Sequence, residues 1–194
     1  MKENKLFTID CGEFYLREFC EEDVDAIVEI TSQPEVAEFL PDWKSTREQR
    51  LDWTINEDIP DNKAFFAAVP NLNQEIIRLG IILKESDEFI GFCTSGIKEE
   101  LSGSNREVAY AISKHYRNKG YTTKAVKGLI QYLFQHTNVK LINAVVLPYN
   151  GGSNKVIQKI GFHLNGNAAI DGEQFNHYVL KKEDWKSIQS EEVC

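Results

Sequence analysis

Polar and apolar positions alternate along "EFYLREF", Glu13 to Phe19, with the period-two spacing of a half-buried β-strand. The period then changes: in "EEDVDAIVEIT", Val24, Ile27, Val28 and Thr31 fall on one face of a helix. Ser45 stands three residues ahead of Glu48, a capping-box spacing that predicts a second helix through "STREQRLDWTINEDI". "AFFAAVPNLNQEI" satisfies strand and helix periods alike, so periodicity leaves it open. "RLGIILKES" and "EFIGFCTSGI" read as two strands joined by a tight turn near Ser86 and Asp87, and "REVAYAIS" as another.

Ala125, Val126, Leu129, Ile130, Leu133 and Phe134 recur with helical period over about three turns. "KLINAVVL" is almost wholly apolar, as a strand buried on both faces is. "NGGSNKVIQKIGF" reads as a short helix stopped by Gly161, and "FNHYVLKKEDW" as a closing strand with a polar exit. Strands and helices in this order predict a mixed α/β or α+β domain with helices packed on a central sheet. No internal repeat and no linker interrupts it, so residues 1–194 read as one domain.

A chain of 194 residues with 42% hydrophobic content buries roughly 70% of its unfolded surface and needs no disulfides to fold. The longest apolar runs, such as "AVVL", are far below the roughly 18 residues of a membrane helix. "MKENKLFTIDC" lacks the apolar core of a signal peptide, so the expectation is a cytoplasmic protein without a membrane partner. Cys11, Cys20, Cys93 and Cys194 show neither C-x-x-C pairing nor zinc-ligand spacing with the histidines, so free thiols and no metal are expected.

The formal net charge is -8, which argues against coating a nucleic acid. The average hides a division. From Val108 to Ile170 there is no Asp or Glu, while Lys114, Arg117, Lys119, Lys124, Lys127, Lys140, Lys155 and Lys159 give that stretch +8 and leave -16 elsewhere. Such asymmetry points to an anionic ligand in one place and a cationic one in another. "RNKGYTTKA" concentrates the effect, because Arg117, Lys119 and Lys124 surround Gly120 at a predicted helix start with no carboxylate among them. A helix start is already positive and its first N–H groups are unpaired, so a phosphate is the natural partner. Gly120 lets the backbone approach it, and Thr122 or Thr123 adds a hydroxyl. Neither a Walker loop nor a G-x-G-x-x-G fingerprint occurs, which removes most support for nucleotide hydrolysis and dinucleotide redox chemistry.

Two blocks, "EVAYAISKHYRNKGYTTKAVKGLIQYLF" and "VVLPYNGGSNKVIQKIGF", resemble the GNAT acyltransferase superfamily and its RimJ/RimL-like branch. Arg117, Asn118, Lys119, Gly120 and Tyr121 match the R/Q-x-x-G-x-G/A motif, with Thr122 in place of its last small residue. Pro148, Asn150, Ser153, Val156, Lys159, Gly161 and Phe162 match the second block, roughly thirty residues on in the expected strand-helix-strand-helix order. With "YLREFCEEDVDAIVEI" and "EFIGF", the resemblance spans roughly residues 13–185. It implies the GNAT fold: a mixed sheet of about six to seven strands with helices on both faces.

The resemblance further implies an N-acetyltransferase that uses acetyl-CoA as co-substrate. Its pyrophosphate is expected on Arg117, Asn118, Lys119, Gly120, Tyr121 and Thr122, and its pantetheine arm along Ala111, Ile112 and Ser113. Asn150 and Ser153 flank the thioester, and Lys155 adds attraction for the phosphates. Glu107, the last carboxylate before the acid-free stretch, is the candidate base for a primary amine. Where many members carry a thiolate-protonating tyrosine this chain has Ile157, which leaves Ser153 as the candidate partner of the sulfur and Tyr149 as a second choice. Backbone N–H groups of 108–112 are the expected oxyanion donors. Acidic flanks around Glu21, Glu22, Asp23, Asp25, Glu35, Glu38 and Asp42 fit a cationic acceptor, a peptide N-terminus or a small amine. A non-catalytic acyl-CoA binding module is the alternative, and monomer and homodimer are both compatible with the sequence.

Overall fold

A computed structural model of the chain describes residues 6–191. Strands β1 (Thr8–Asp10), β2 (Phe14–Glu18), β3 (Ile77–Leu83), β4 (Phe89–Ile97) and β5 (Arg106–Ile112) pair antiparallel in sequence order. β6 (Leu141–Val146) joins β5 in parallel, and β8 (Glu173–Lys181) with β7 (His163–Ile170) completes the sheet in the order β1-β2-β3-β4-β5-β6-β8-β7. The helices are α1 (Val24–Ser32), α2 (Pro34–Ala37), α3 (Arg47–Trp53), α4 (Ile59–Ala68), α5 (Tyr121–His136), α6 (Gly151–Ile160) and α7 (Lys182–Glu191), with a π-helical stretch, 54–58, joining α3 to α4.

Each face of the sheet carries its own core. Alternate residues of β3, β5 and β6, among them Ile77, Leu79, Val108, Ile142 and Ala144, meet Phe65 of α4, Leu129 and Leu133 of α5, Ile157 of α6 and Trp185 of α7. On the other face Phe19, Ile82, Phe92 and Ala111 receive Ile27 and Ile30 of α1 and Val36 of α2. All six residues read as the apolar stripe of α5 are buried. α6 starts where Asn150 Oδ1 accepts from the Ser153 amide at 3.1 Å, and ends at Gly161, whose φ of 108° permits the left-handed turn.

Four details depart from the pattern reading. The cap of α3 lies one residue on: Thr46 Oγ1 accepts from the Gln49 amide and Gln49 reaches back to Thr46, in place of Ser45 and Glu48. On α1, Ile30 is buried and Val28 only half-buried. The sheet has eight strands rather than six to seven. The added members are three-residue β1 and β7, an edge strand that is exposed along most of its length and so carries no apolar alternation. The start of the ambiguous stretch, "AFFAA", is the end of helix α4, and "KEDW" opens α7 instead of trailing from a strand.

Candidate active site

The central break in the sheet lies between β5 and β6. Glu107 and Asn143 are their sole registered pair, and beyond it the strands part. The edges of 108–112 and 144–146 that face each other therefore have no strand partner, and a cavity of about 530 Å³ opens between them. β4 holds the other edge of β5 along its whole length, with Gly91 opposite Ile112 and Gly96 opposite Glu107. Gly91 is required there, since a Cβ would stand 2.4 Å from the Ala111 carbonyl oxygen.

One end of the cavity is the start of α5. Gly120 has a φ of 81° and open space where a side chain would project, and no side chain caps the helix. The first helical bond is made by the Lys124 amide to the Gly120 carbonyl, so the amides of Tyr121, Thr122 and Thr123 precede it and stand at the positive end of the helix dipole. The three loop cations all have partners inside the molecule. Arg117 Nη2 donates to the Glu35 carbonyl at 2.8 Å, Lys119 Nζ lies 4.9 Å from the Tyr116 ring centre, and Lys124 Nζ pairs with Glu13 at 3.4 Å. Only Lys124 meets a carboxylate; Arg117 and Lys119 have uncharged partners and keep their positive charge, and Arg117, Lys155 and Lys159 line the cavity.

Ala111, Ile112, Arg117, Asn118, Gly120, Tyr121, Thr122, Asn150, Ser153 and Lys155 all border the cavity. Ser113, Lys119 and Glu107 do not: the Ser113 hydroxyl is held by Gln33 Nε2 at 3.2 Å, Lys119 is turned onto Tyr116, and Glu107 lies at the Asn143 register pair, one residue before the lining begins at Val108. Tyr149 is 64% exposed and rests on Phe39 at 6.0 Å between ring centres, outside the lining. Since Asn150 caps α6, the Ser153 side chain is free of that task.

Glu107 sits at the closed end of the splay. On β5, Val108 and Tyr110 enter or border the main core, which puts Glu107, Ala109 and Ala111 on the opposite face. Burial lifts the Glu107 pKa to about 7; Lys98 opposes the rise and Glu100 adds to it. No hydrogen bond to its carboxylate occurs among the described residues.

Several lining residues escape sequence reasoning. Tyr110 points its hydroxyl at the Ser153 carbonyl, 3.2 Å away, and burial pushes its pKa above the ordinary phenol value. α2 contributes Glu35 and Val36, the turn after it contributes Phe39, and Glu35 Oε2 is buried without a partner. The α1–α2 junction is tied to the exit of β5 by Gln33, whose Oε1 accepts from the Lys114 amide at 2.8 Å. Asn154 pins the turn before α6 to β8: its amide donates to the Leu147 and Asn150 carbonyls while its Oδ1 accepts from Asn176 and Tyr178.

A family model for the acetyltransferase (GNAT) domain matches residues 13–163 of this chain, its whole β2-to-α6 core. The chain belongs to the GNAT acetyltransferases. An N-acetyltransferase of Bacillus licheniformis, p20, described as uncharacterized, is 29% identical over 153 residues, which cover 78% of this chain and 79% of its own. Among solved structures, a GNAT-family acetyltransferase from Bacillus anthracis superimposes with a TM-score of 0.72 at 20% identity, covering 91% of this chain and 99% of that one. The aminoglycoside acetyltransferase AAC(6')-Ib, solved with paromomycin and acetyl-CoA, gives 0.69 at 17% identity over 88% and 94% of the two chains. The ribosomal-protein-S5-alanine acetyltransferase of Vibrio fischeri gives 0.70 at 20% over 92% and 98%. As a GNAT acetyltransferase, the chain is an acetyl-CoA-dependent acyltransferase with the mixed-sheet fold of those neighbours.

Proposed function

We propose that this GNAT acetyltransferase moves the acetyl group of acetyl-CoA directly to a primary amine, either a peptide N-terminus or a small molecule. The observation that carries the reading is the splay itself. A helix start rich in free amides borders the cavity between the parted parallel strands, and Glu107, its pKa raised by burial, stands at their last register pair, one residue before the lining begins at Val108. The pyrophosphate rests on the amides of 120–123, with Lys155 and Lys159 beside it. The pantetheine arm pairs with the free edge of 108–112, and Glu35 Oε2 offers an acceptor to its amides or hydroxyl.

Glu107 takes a proton from the ammonium form of the substrate, directly or through one water. A carboxylate with pKa near 7 matches an α-amino group of roughly 7.7–8.0 far better than an ordinary glutamate does. The neutral nitrogen attacks the thioester carbon, a C–N bond forms, and the carbonyl electrons move to an oxygen met by β5 amides. Collapse breaks the C–S bond while the nitrogen gives up its second proton, and that proton passes to the leaving sulfur, which departs as coenzyme A thiol. Ser153 Oγ is the candidate hydrogen-bond partner of that sulfur, since the Tyr110 hydroxyl already donates to the Ser153 carbonyl.

A thiol-release assay with acetyl-CoA tests this against an alanyl peptide, spermine and kanamycin. The reading expects release with at least one amine; saturable acetyl-CoA binding without release from any of them would leave a binding module.

A further inference from the structure

Beyond the Glu107–Asn143 pair, a side-chain contact crosses from the β5 side of the gap to the β6 side on each face of the sheet. On the main-core face the Tyr110 hydroxyl donates to the Ser153 carbonyl at 3.2 Å, from β5 to the first turn of α6. On the face that carries Glu107 the crossing is aromatic: the rings of Phe39 and Tyr149 lie 6.0 Å apart between centres, tilted by 41°.

Each of these two rings belongs to a different wall. Phe39 lines the cavity from the turn after α2, and that turn is fastened to the β5 side. Val36 packs with Ala111 and Phe92, Gln33 binds both the Ser113 hydroxyl and the Lys114 amide, and Arg117 holds the Glu35 carbonyl. Tyr149 follows β6, in the turn that Asn154 fastens to β8. Since each wall is held by hydrogen bonds of its own and Tyr149 is 64% exposed, loss of its ring removes the bridge and leaves both walls in place.

The bridge shortens the opening on this face. From Glu107 to the end of β5 at Ile112 the strand rises roughly 16 Å. Side chains at 107, 109 and 111 point to this face, and Ala111 lies under Val36, so a small residue, Ala109, is what β5 sets beside the part left open.

We propose that the Phe39–Tyr149 pair sets the size of the acceptor: the rings roof the cofactor arm at the open end of the gap, and the amine reaches the thioester beside Ala109, between the rings and Glu107. An amine at the end of an unbranched chain or of a peptide passes this opening, and one carried on a rigid body of several rings does not. The assignment rests on the acetyltransferase reading above and narrows its acceptor class.

Thiol release from acetyl-CoA with the alanyl peptide, spermine and kanamycin tests it. In the wild type, kcat/KM for kanamycin should be at least about tenfold below that for the better of the other two amines. Tyr149→Ala should raise that ratio about tenfold by admitting the larger amine, and Tyr149→Phe, which keeps the ring, should keep the wild-type ratio. A ratio that Tyr149→Ala leaves unchanged, a rise shared by Tyr149→Phe, or wild-type turnover of kanamycin equal to that of the others overturns the size role alone. Absence of wild-type release with all three amines overturns the acetyltransferase reading, and the size role with it.

Discussion

Glu107 and Asn143 face each other at the one point where β5 and β6 pair, and everything beyond that point is gap. The pair therefore marks the closed end of the gap, with Glu107 one residue before the first lining residue, Val108. Glu107→Gln should slow acetylation by about 10²- to 10⁴-fold near neutral pH while leaving acetyl-CoA affinity unchanged. In the wild type kcat/KM should rise with pH through about 7 as the carboxylate ionises, and the variant should lose that limb. A pH–rate profile of both proteins checks it.

The same raised pKa affects folding. A glutamate that binds its proton more tightly in the folded state stabilises the protein below the unfolded value near 4.5, and that contribution is lost as pH rises through about 7. Glu107→Gln should therefore be more stable than wild type at pH 8, by about 1–3 kcal/mol, with the difference gone by pH 4. Urea unfolding at the two pH values measures it; an equal difference at both would separate the effect from ionisation.

Gly120→Glu places a side chain and a negative charge on the open face at the start of α5. A non-glycine residue at φ of 81° costs roughly 1 kcal/mol, so the fold should survive. Acetyl-CoA, which should raise the wild-type Tm, should fail to raise that of the variant.

Gly91→Ala brings a methyl to 2.4 Å from the Ala111 carbonyl oxygen, a backbone contact that only movement of β4 against β5 relieves. The expected loss is about 1–3 kcal/mol of stability, read by denaturant unfolding. Acetyl-CoA affinity should fall as well, since β5 forms one wall of the gap.

Asp58 lies buried between Arg50 and Arg78, and Arg50 in turn lies 5.9 Å from the Trp43 ring, which stacks on Phe92 at 4.5 Å. Asp58→Ala leaves two guanidinium groups without their shared carboxylate and should cost about 3–5 kcal/mol in urea unfolding.

Much of this was legible in the residues. The stripe from Ala125 to Phe134 is the buried face of α5, and Gly120 does sit at its start, in a left-handed conformation with open space beside it. Other features depend on contacts remote in sequence. Nothing local tells that Lys124 is paired with Glu13, 111 residues away, or that Lys119 lies on Tyr116. Tyr110, Glu35 and Phe39 become lining residues only when α2 folds over the end of β5, a closure made by Gln33 and Arg117 across about eighty positions. β7 is exposed and polar because it is an edge strand, and α7, of low apolar content, is anchored by Trp185 and half-buried Ile188. Periodicity is weak wherever an element buries only one or two side chains.

The central claim is that the cofactor arm fills the gap beside 108–112 as an added strand. Amide hydrogen exchange of that segment, with and without saturating acetyl-CoA, tests it most directly. Exchange should slow at the amides of 108–112 that face β6 and at 121–123, with β1 and β2 unchanged; acetyl-CoA binding that leaves both segments unprotected would rule out an added strand there.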